Sequence, residues 1–146
     1  MGEEVKILII EDDEDTVEAM KLTLEAQSYT VISAYDPEEG LRKAKEEKPD
    51  LIMLDVMFGK KDEALGFDYA VKMKQESDLA PIPILMITAV NVKYPFLEFS
   101  PQTDGDYLPV DDFINKPVDF KDLIGKVKNL LHAKVSKWAN WPDSSQ

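Results

Sequence analysis

The sequence contains no cysteine among its 146 residues, so disulfides and thiolate metal sites are excluded. It has no apolar run long enough to span a membrane. Its first residues lack the basic and then apolar layout of a signal peptide. Low-complexity tracts and internal repeats are also missing. We therefore expect a single folded protein that is soluble, cytoplasmic and without membrane contacts.

Basic residues are scarce relative to acidic ones. The chain has 17 Lys and Arg against 29 Asp and Glu, which gives a formal net charge of −12. Such a field repels the phosphates of nucleic acids and anionic membrane surfaces, but it is compatible with bound metal cations. We therefore expect no nucleic-acid partner.

Strand-like and helix-like patterns alternate along the chain. The patterns predict a helix that begins after Asp36 as N-cap, with Pro37 in its first turn and Glu39 reaching back. Apolar residues at helical spacing predict further helices after 11–15, near 67–71 and over 120–131. Five short apolar runs, many rich in β-branched residues, predict strands at 5–10, 29–34, 51–54, 82–87 and 113–114. This alternation predicts an α/β fold with a doubly wound, mainly parallel sheet.

Polar residues follow the predicted strands at their carboxyl ends. Glu11 and Asp12 follow the first strand, Asp55 the third, Thr88 the fourth and Lys116 the fifth. Ligands of doubly wound sheets bind at this edge, so these side chains are expected to converge there. Clustered carboxylates repel one another unless a cation is bound, and hard oxygen ligands suit Mg²⁺. Together with a lysine and a hydroxyl, they suit phosphoryl transfer to a carboxylate nucleophile.

Four motifs carry a family resemblance. They are ILIIEDDED, PDLIMLDVM, PILMITA and DDFINKP, and they occur in this order between residue 5 and about 133. The chain resembles the receiver domain of two-component response regulators. The resemblance implies a flavodoxin-like five-stranded sheet of order 2-1-3-4-5 with helices on both faces. It also implies a receiver domain over residues 1–134, followed by a polar tail over 135–146.

The resemblance assigns roles to the acidic residues. Asp55 resembles the phosphoacceptor. Glu11 and Asp12 resemble the acidic pair that holds Mg²⁺ together with Asp55, and the backbone carbonyl of Met57 would be a further ligand. The alternative is a purely structural role, in which the acidic residues 11–15 only complement the dipole of the following helix.

The resemblance also assigns the phosphoryl contacts and the switch. Thr88 resembles the hydroxyl that contacts the phosphoryl group, and Lys116 resembles the lysine that pairs with it. Phe113 takes the place of the switch aromatic that responds together with Thr88, although a core phenylalanine would look the same. The Lys116–Pro117 bond matches a family bond that is cis.

The function implied is that of a phosphoacceptor switch. A histidine kinase or phosphotransfer protein would phosphorylate Asp55 with Mg²⁺ bound, and the only catalysis would be this transfer and slow autodephosphorylation. We expect no DNA-binding or catalytic output region after the last predicted helix, and therefore output through contact with a downstream protein.

Two departures from the family keep an alternative open. The loop after Asp55 lacks the usual proline and is longer, and residues 90–111 are long and interrupted by three prolines. We expect 90–111 to be the least regular part of the fold. A pseudo-receiver that scaffolds without being phosphorylated is therefore the alternative. An aspartate-nucleophile phosphatase is disfavoured because Met57 stands where its general acid would be.

Overall fold

The structure is a computed structural model that describes residues 4–55, 65–89 and 110–139. Strands and helices alternate through these ranges. In chain order they are β1 Lys6–Ile10, α1 Glu14–Glu25, β2 Thr30–Ala34, α2 Pro37–Glu47, β3 Leu51–Asp55, α3 Leu65–Gln75, β4 Ile84–Ala89, β5 Asp112–Lys116 and α4 Phe120–Ala139. None of the described helices is long and apolar enough to cross a membrane.

The five strands form one sheet in the order β2-β1-β3-β4-β5, and every neighbouring pair is parallel. This confirms the predicted doubly wound sheet and its strand order. Each of the three inner strands contains four consecutive residues that are 0% exposed, at 7–10 in β1, 51–54 in β3 and 84–87 in β4. Both faces of these strands are therefore covered, which explains why they read as continuous apolar runs rather than alternating ones.

Two hydrophobic clusters cover the two faces of the sheet. On one face, which we call the α2/α3 face, strand residues such as Ile10, Leu54 and Met86 pack with Ala44 of α2 and Met73 of α3. On the opposite face, the α1/α4 face, Ile9, Met53 and Ile87 pack with α1 and α4. The helical residues of this second cluster are Val17, Met20, Leu24, Leu123 and Val127. Because successive strand residues point to opposite faces, these clusters identify the face to which each polar residue at the strand ends belongs.

The start of α2 matches its predicted capping. Asp36 is the N-cap and its carboxylate accepts a hydrogen bond of 2.8 Å from the backbone N–H of Glu39. Pro37 lies at the first turn. The Glu39 carboxylate in turn accepts from the N–H of Tyr35, 3.0 Å away.

Some predicted boundaries differ from the structure. β4 begins at Ile84 rather than at residue 82, because Pro83 has no N–H to donate. β4 also continues through Ala89, so Thr88 lies within the strand rather than after it. The last helix, predicted over 120–131, extends to Ala139. The loop after Asp55 with Met57, residues 90–109 and the end of the predicted tail at 140–146 lie outside the described residues.

Candidate functional site

Two carboxylates are buried at the carboxyl edge of the sheet. Asp55 is the last residue of β3 and only 2% exposed, and Glu11, directly after β1, is 0% exposed. The N–H of Glu11 donates to the carbonyl of Ala34 at 3.0 Å, which continues the pairing of β1 with β2. Asp55 is paired in register with Ile87, so its side chain belongs to the α1/α4 face. Strand geometry therefore delivers two acids to one buried location.

The positive charge of Lys116 offsets part of the negative charge of both acids. Its Nζ lies 3.1 Å from Oδ2 of Asp55, to which it donates a hydrogen bond, and 3.0 Å from Oε1 of Glu11. Glu11 Oε2 accepts a 3.0 Å hydrogen bond from the N–H of Asp13. Apart from the Lys116 ammonium, Glu11 Oε1 has no hydrogen-bond donor among the described residues. That buried oxygen can therefore still bind a second cationic group.

The electrostatics reflect a site with more negative than positive charge. Burial raises the pKa of Glu11 to about 8, and the adjacent Asp55 carboxylate adds to the rise. Burial opposes the charge of Lys116, but the Asp55 and Glu11 carboxylates outweigh it and raise the pKa of that ammonium. One lysine does not neutralise the acids that surround it.

The acidic group fits a divalent metal ion. Carboxylate oxygens of Glu11, Asp12 and Asp55 all lie within 4.8 Å of one another. Asp12 is exposed, so the group opens to solvent on one side. Carboxylate oxygens with room for water are the ligand set that Mg²⁺ prefers. The open acceptor on Glu11 and its raised pKa both indicate that a cation would be favourable there.

Thr88 lies at the same edge but on the other face. It is 1% exposed, and its Oγ1 donates a 2.9 Å hydrogen bond to Oδ1 of Asn115. The two residues are partners in the β4–β5 register, as are Met86 and Phe113 two residues earlier. Phe113 is partly buried against the cluster of the α2/α3 face. Thr88, Asn115 and Phe113 therefore share the α2/α3 face.

The structure assembles most of the predicted site. It brings Glu11, Asp12, Asp55 and Lys116 together, and the Lys116–Pro117 peptide bond is cis as predicted. It does not place the Thr88 hydroxyl on the face of Asp55. Asn115 was not predicted as a site residue, because its contact with Thr88 depends on the register of two strands that are distant in sequence.

Comparison with known proteins identifies the family. The model of the response regulator receiver domain matches residues 7–128. The chain therefore belongs to the response regulator receiver family, whose members are signalling domains of two-component systems. It is 37% identical over 126 residues to the alkaline phosphatase synthesis transcriptional regulatory protein PhoP of Bacillus subtilis, an alignment that covers 86% of this chain and 48% of that protein. The chain spans about half the length of the curated relatives it matches.

Solved structures have the same fold. The signal receiver domain of a signal transduction histidine kinase from Syntrophus aciditrophicus is 29% identical, with a TM-score of 0.72 over 88% of this chain and 91% of that one. A CheY-like response regulator receiver domain protein from Methanospirillum hungatei gives a TM-score of 0.76 over 92% of this chain and 99% of that one. The latter is 24% identical, so it shows the fold alone.

Proposed function

We propose that this chain is a phosphorylation switch whose acceptor is Asp55 and whose phosphoryl donor is a histidine kinase or a phosphotransfer protein. The observation that carries the proposal is the buried Asp55 carboxylate at the carboxyl edge of the sheet, 3.1 Å from the ammonium of Lys116. A buried carboxylate with a fixed cation beside it is suited to nucleophilic attack on a phosphoryl group.

The transfer would exchange one bond to phosphorus for another. A carboxylate oxygen of Asp55 attacks the phosphorus, and an O–P bond forms while the bond from phosphorus to the donor's imidazole nitrogen breaks. The electron pair of the broken bond stays on that nitrogen. Lys116 is within reach of the acceptor oxygens, where its charge offsets the negative charge that arrives with the phosphoryl group.

Glu11, Asp12 and Asp55 would hold Mg²⁺, with the backbone carbonyl of Met57 as a further ligand implied by the family. Bound Mg²⁺ would neutralise charge on the phosphoryl oxygens. In its absence, the negative charge of this acidic group would repel an incoming phosphoryl group. We therefore expect labelling of the protein to require Mg²⁺.

Phosphorylation would add about −1.5 to −2 charges to a site already rich in acids. Thr88 and Lys116 would be drawn toward the phosphoryl group. Because Phe113 shares the α2/α3 face with Thr88, a shift of Thr88 would be transmitted to that aromatic side chain. We propose that the output is a contact with a downstream protein, since a net charge of −12 disfavours binding to nucleic acid.

The test is covalent labelling by acetyl phosphate in the presence of Mg²⁺. The wild type should acquire an acid-labile phosphoryl group, and Asp55→Asn should not, because the amide keeps the shape but is not a nucleophile. Asp50→Asn is the matched control. Asp50 precedes the same strand at its other end, where its carboxylate accepts a 2.9 Å hydrogen bond from the N–H of Lys6, so its replacement should leave labelling intact.

Labelling that persists in Asp55→Asn would refute the assignment of the acceptor. A wild type that is folded and binds Mg²⁺ but is never labelled would instead favour the alternative, a pseudo-receiver that acts as a scaffold without phosphorylation.

A further inference from the structure

The Thr88 hydroxyl is proposed to contact the phosphoryl group, but it already donates its hydrogen to a residue outside the acidic group. Its Oγ1 donates to Oδ1 of Asn115 at 2.9 Å. The Thr88 side chain is buried, and Asn115 lies directly opposite it in the β4–β5 register. A hydroxyl has a single hydrogen to donate, so Thr88 cannot donate fully to a phosphoryl oxygen while it donates to Asn115.

The contact matters for phosphorylation because Thr88 and Asp55 lie on different faces of the sheet. Asp55 is paired with Ile87 and shares its face, whereas Thr88 is the next residue of β4 and points to the other face. Lys116 reaches Asp55 from the face of Asp55 and is in contact with it already. Thr88 therefore has to change partners to reach the phosphoryl group, and Lys116 does not.

We propose that Asn115 is a positioning residue that holds the Thr88 hydroxyl in the unphosphorylated state and competes with the phosphoryl group for its hydrogen. The inference rests on the proposed phosphorylation of Asp55. Asn115 touches neither the carboxylates nor Lys116 Nζ by any hydrogen bond among the described residues, and it acts through Thr88 alone. Its side chain sets how readily the phosphorylated state is reached.

The size of the effect follows from the strength of one hydrogen bond. A neutral hydrogen bond contributes modestly in net terms, and Asn115 is exposed, so water competes for the same groups. Removal of the competing acceptor should therefore favour the phosphorylated state by roughly two- to tenfold.

The simplest alternative is that the pair only stabilises the sheet, as cross-strand hydrogen bonds between polar side chains do. In that case Asn115→Ala would lower the stability but would not favour the phosphorylated state. A double-mutant cycle with Thr88→Val separates these roles, because valine keeps the shape of threonine and removes the hydroxyl.

Two measurements are made on the wild type, Asn115→Ala, Thr88→Val and the double variant. The first is the initial rate of labelling by acetyl phosphate at saturating Mg²⁺. The second is the apparent dissociation constant of beryllium trifluoride, a phosphoryl mimic, with Mg²⁺ present. We expect Asn115→Ala to be labelled faster and to bind beryllium trifluoride roughly two- to tenfold more tightly than the wild type. We expect no difference between Thr88→Val and the double variant.

A third measurement needs no phosphorylation. Scalar couplings across the Cα–Cβ bond of Thr88 report its rotamer by nuclear magnetic resonance. They should indicate one rotamer in the unphosphorylated wild type and averaging in Asn115→Ala.

The outcomes separate the two proposals. If the wild type is labelled but Asn115→Ala is neither labelled faster nor a tighter binder, the role of Asn115 is wrong and the acceptor stands. The same conclusion follows if Asn115→Ala has an equal effect in the Thr88→Val background. If the Thr88 rotamer responds but the wild type is never labelled at Asp55, the proposed function fails, and the control of phosphorylation by Asn115 fails with it.

Discussion

At the scale of single residues, the site contains buried carboxylates, which folded proteins normally avoid. An unpaired carboxylate is expensive to bury, and Glu11 and Asp55 are both removed from water. Lys116 offsets part of this cost, but a single ammonium serves two acids, and Oε1 of Glu11 has no other donor among the described residues. An acidic group that lacks sufficient positive charge contributes little to stability, but it is well suited to bind a cation.

Single side chains are also expected to control the lifetime of the phosphoryl group on Asp55. In receiver domains, the side chains two residues after the acceptor and two after the threonine flank the path of the attacking water. These positions are Met57 and Val90, which lie outside the described residues. Neither side chain offers a strong hydrogen bond to orient a water molecule, so we predict a long-lived aspartyl phosphate.

The check is the decay of labelled protein at fixed Mg²⁺ and temperature. Met57→Asn and Val90→Glu should each decay faster than the wild type, because a polar group can then align the water. Equal or slower decay in both variants would show that these side chains do not set the lifetime.

At the scale of elements, α2 packs closely against β1, the strand that precedes Glu11. Gly40 of α2 lies directly over Ile10, the residue before Glu11. An added Cβ at Gly40 would be 2.4 Å from Cδ1 and 2.7 Å from Cγ1 of Ile10. Ile10 is fully buried, so its side chain has little room to move away.

We predict that Gly40→Ala lowers the free energy of unfolding by about 1–3 kcal/mol, because overpacking outweighs the better helix propensity of alanine. Gly125→Ala is the matched control in α4, where an added Cβ meets nothing within 4 Å. It should raise the free energy of unfolding by about 0.5–1 kcal/mol. Urea unfolding measures both values.

The contact itself is tested by Ile10→Val, which removes Cδ1. If the clash with Ile10 is the cause, Gly40→Ala should be less destabilising in the Ile10→Val background than in the wild type. Equal destabilisation in the two backgrounds would assign the effect to atoms other than Cδ1 of Ile10.

At the scale of the whole molecule, the site couples protons and metal to folding. The net charge of −12 favours cation binding in general, and the buried acids concentrate that preference at one place. Burial, with Asp55 nearby, raises the pKa of Glu11 from 4.5 to about 8 on folding. A raised pKa means that the contribution of Glu11 to stability is complete below pH 4.5 and is lost as the pH rises through about 8.

We therefore predict that the free energy of unfolding of the metal-free protein contains a component that falls between pH 4.5 and about 8. Mg²⁺ competes with the proton on Glu11, so it should stabilise the protein more at pH 8 than at pH 6. Urea unfolding with and without MgCl₂, at constant ionic strength, measures both effects.

Glu11→Gln is the control for this linkage, because the amide does not titrate. This variant should lose the fall in stability and most of the difference between the two pH values. The same stabilisation by Mg²⁺ at pH 6 and pH 8 in the wild type would contradict the linkage.

The sequence by itself determined the elements, the strand order through the family motifs, and the identity of the acids and the lysine at the strand ends. It could do so because apolar periodicity and residues at strand ends are local properties of the chain. Only the tertiary structure decided which face of the sheet each polar side chain occupies. The separation of Thr88 from Asp55 and its pairing with Asn115 both follow from the register of parallel strands, which depends on how distant segments pack against one another. The close approach of Gly40 to Ile10 likewise depends on how α2 packs on the sheet, so the sequence did not predict it.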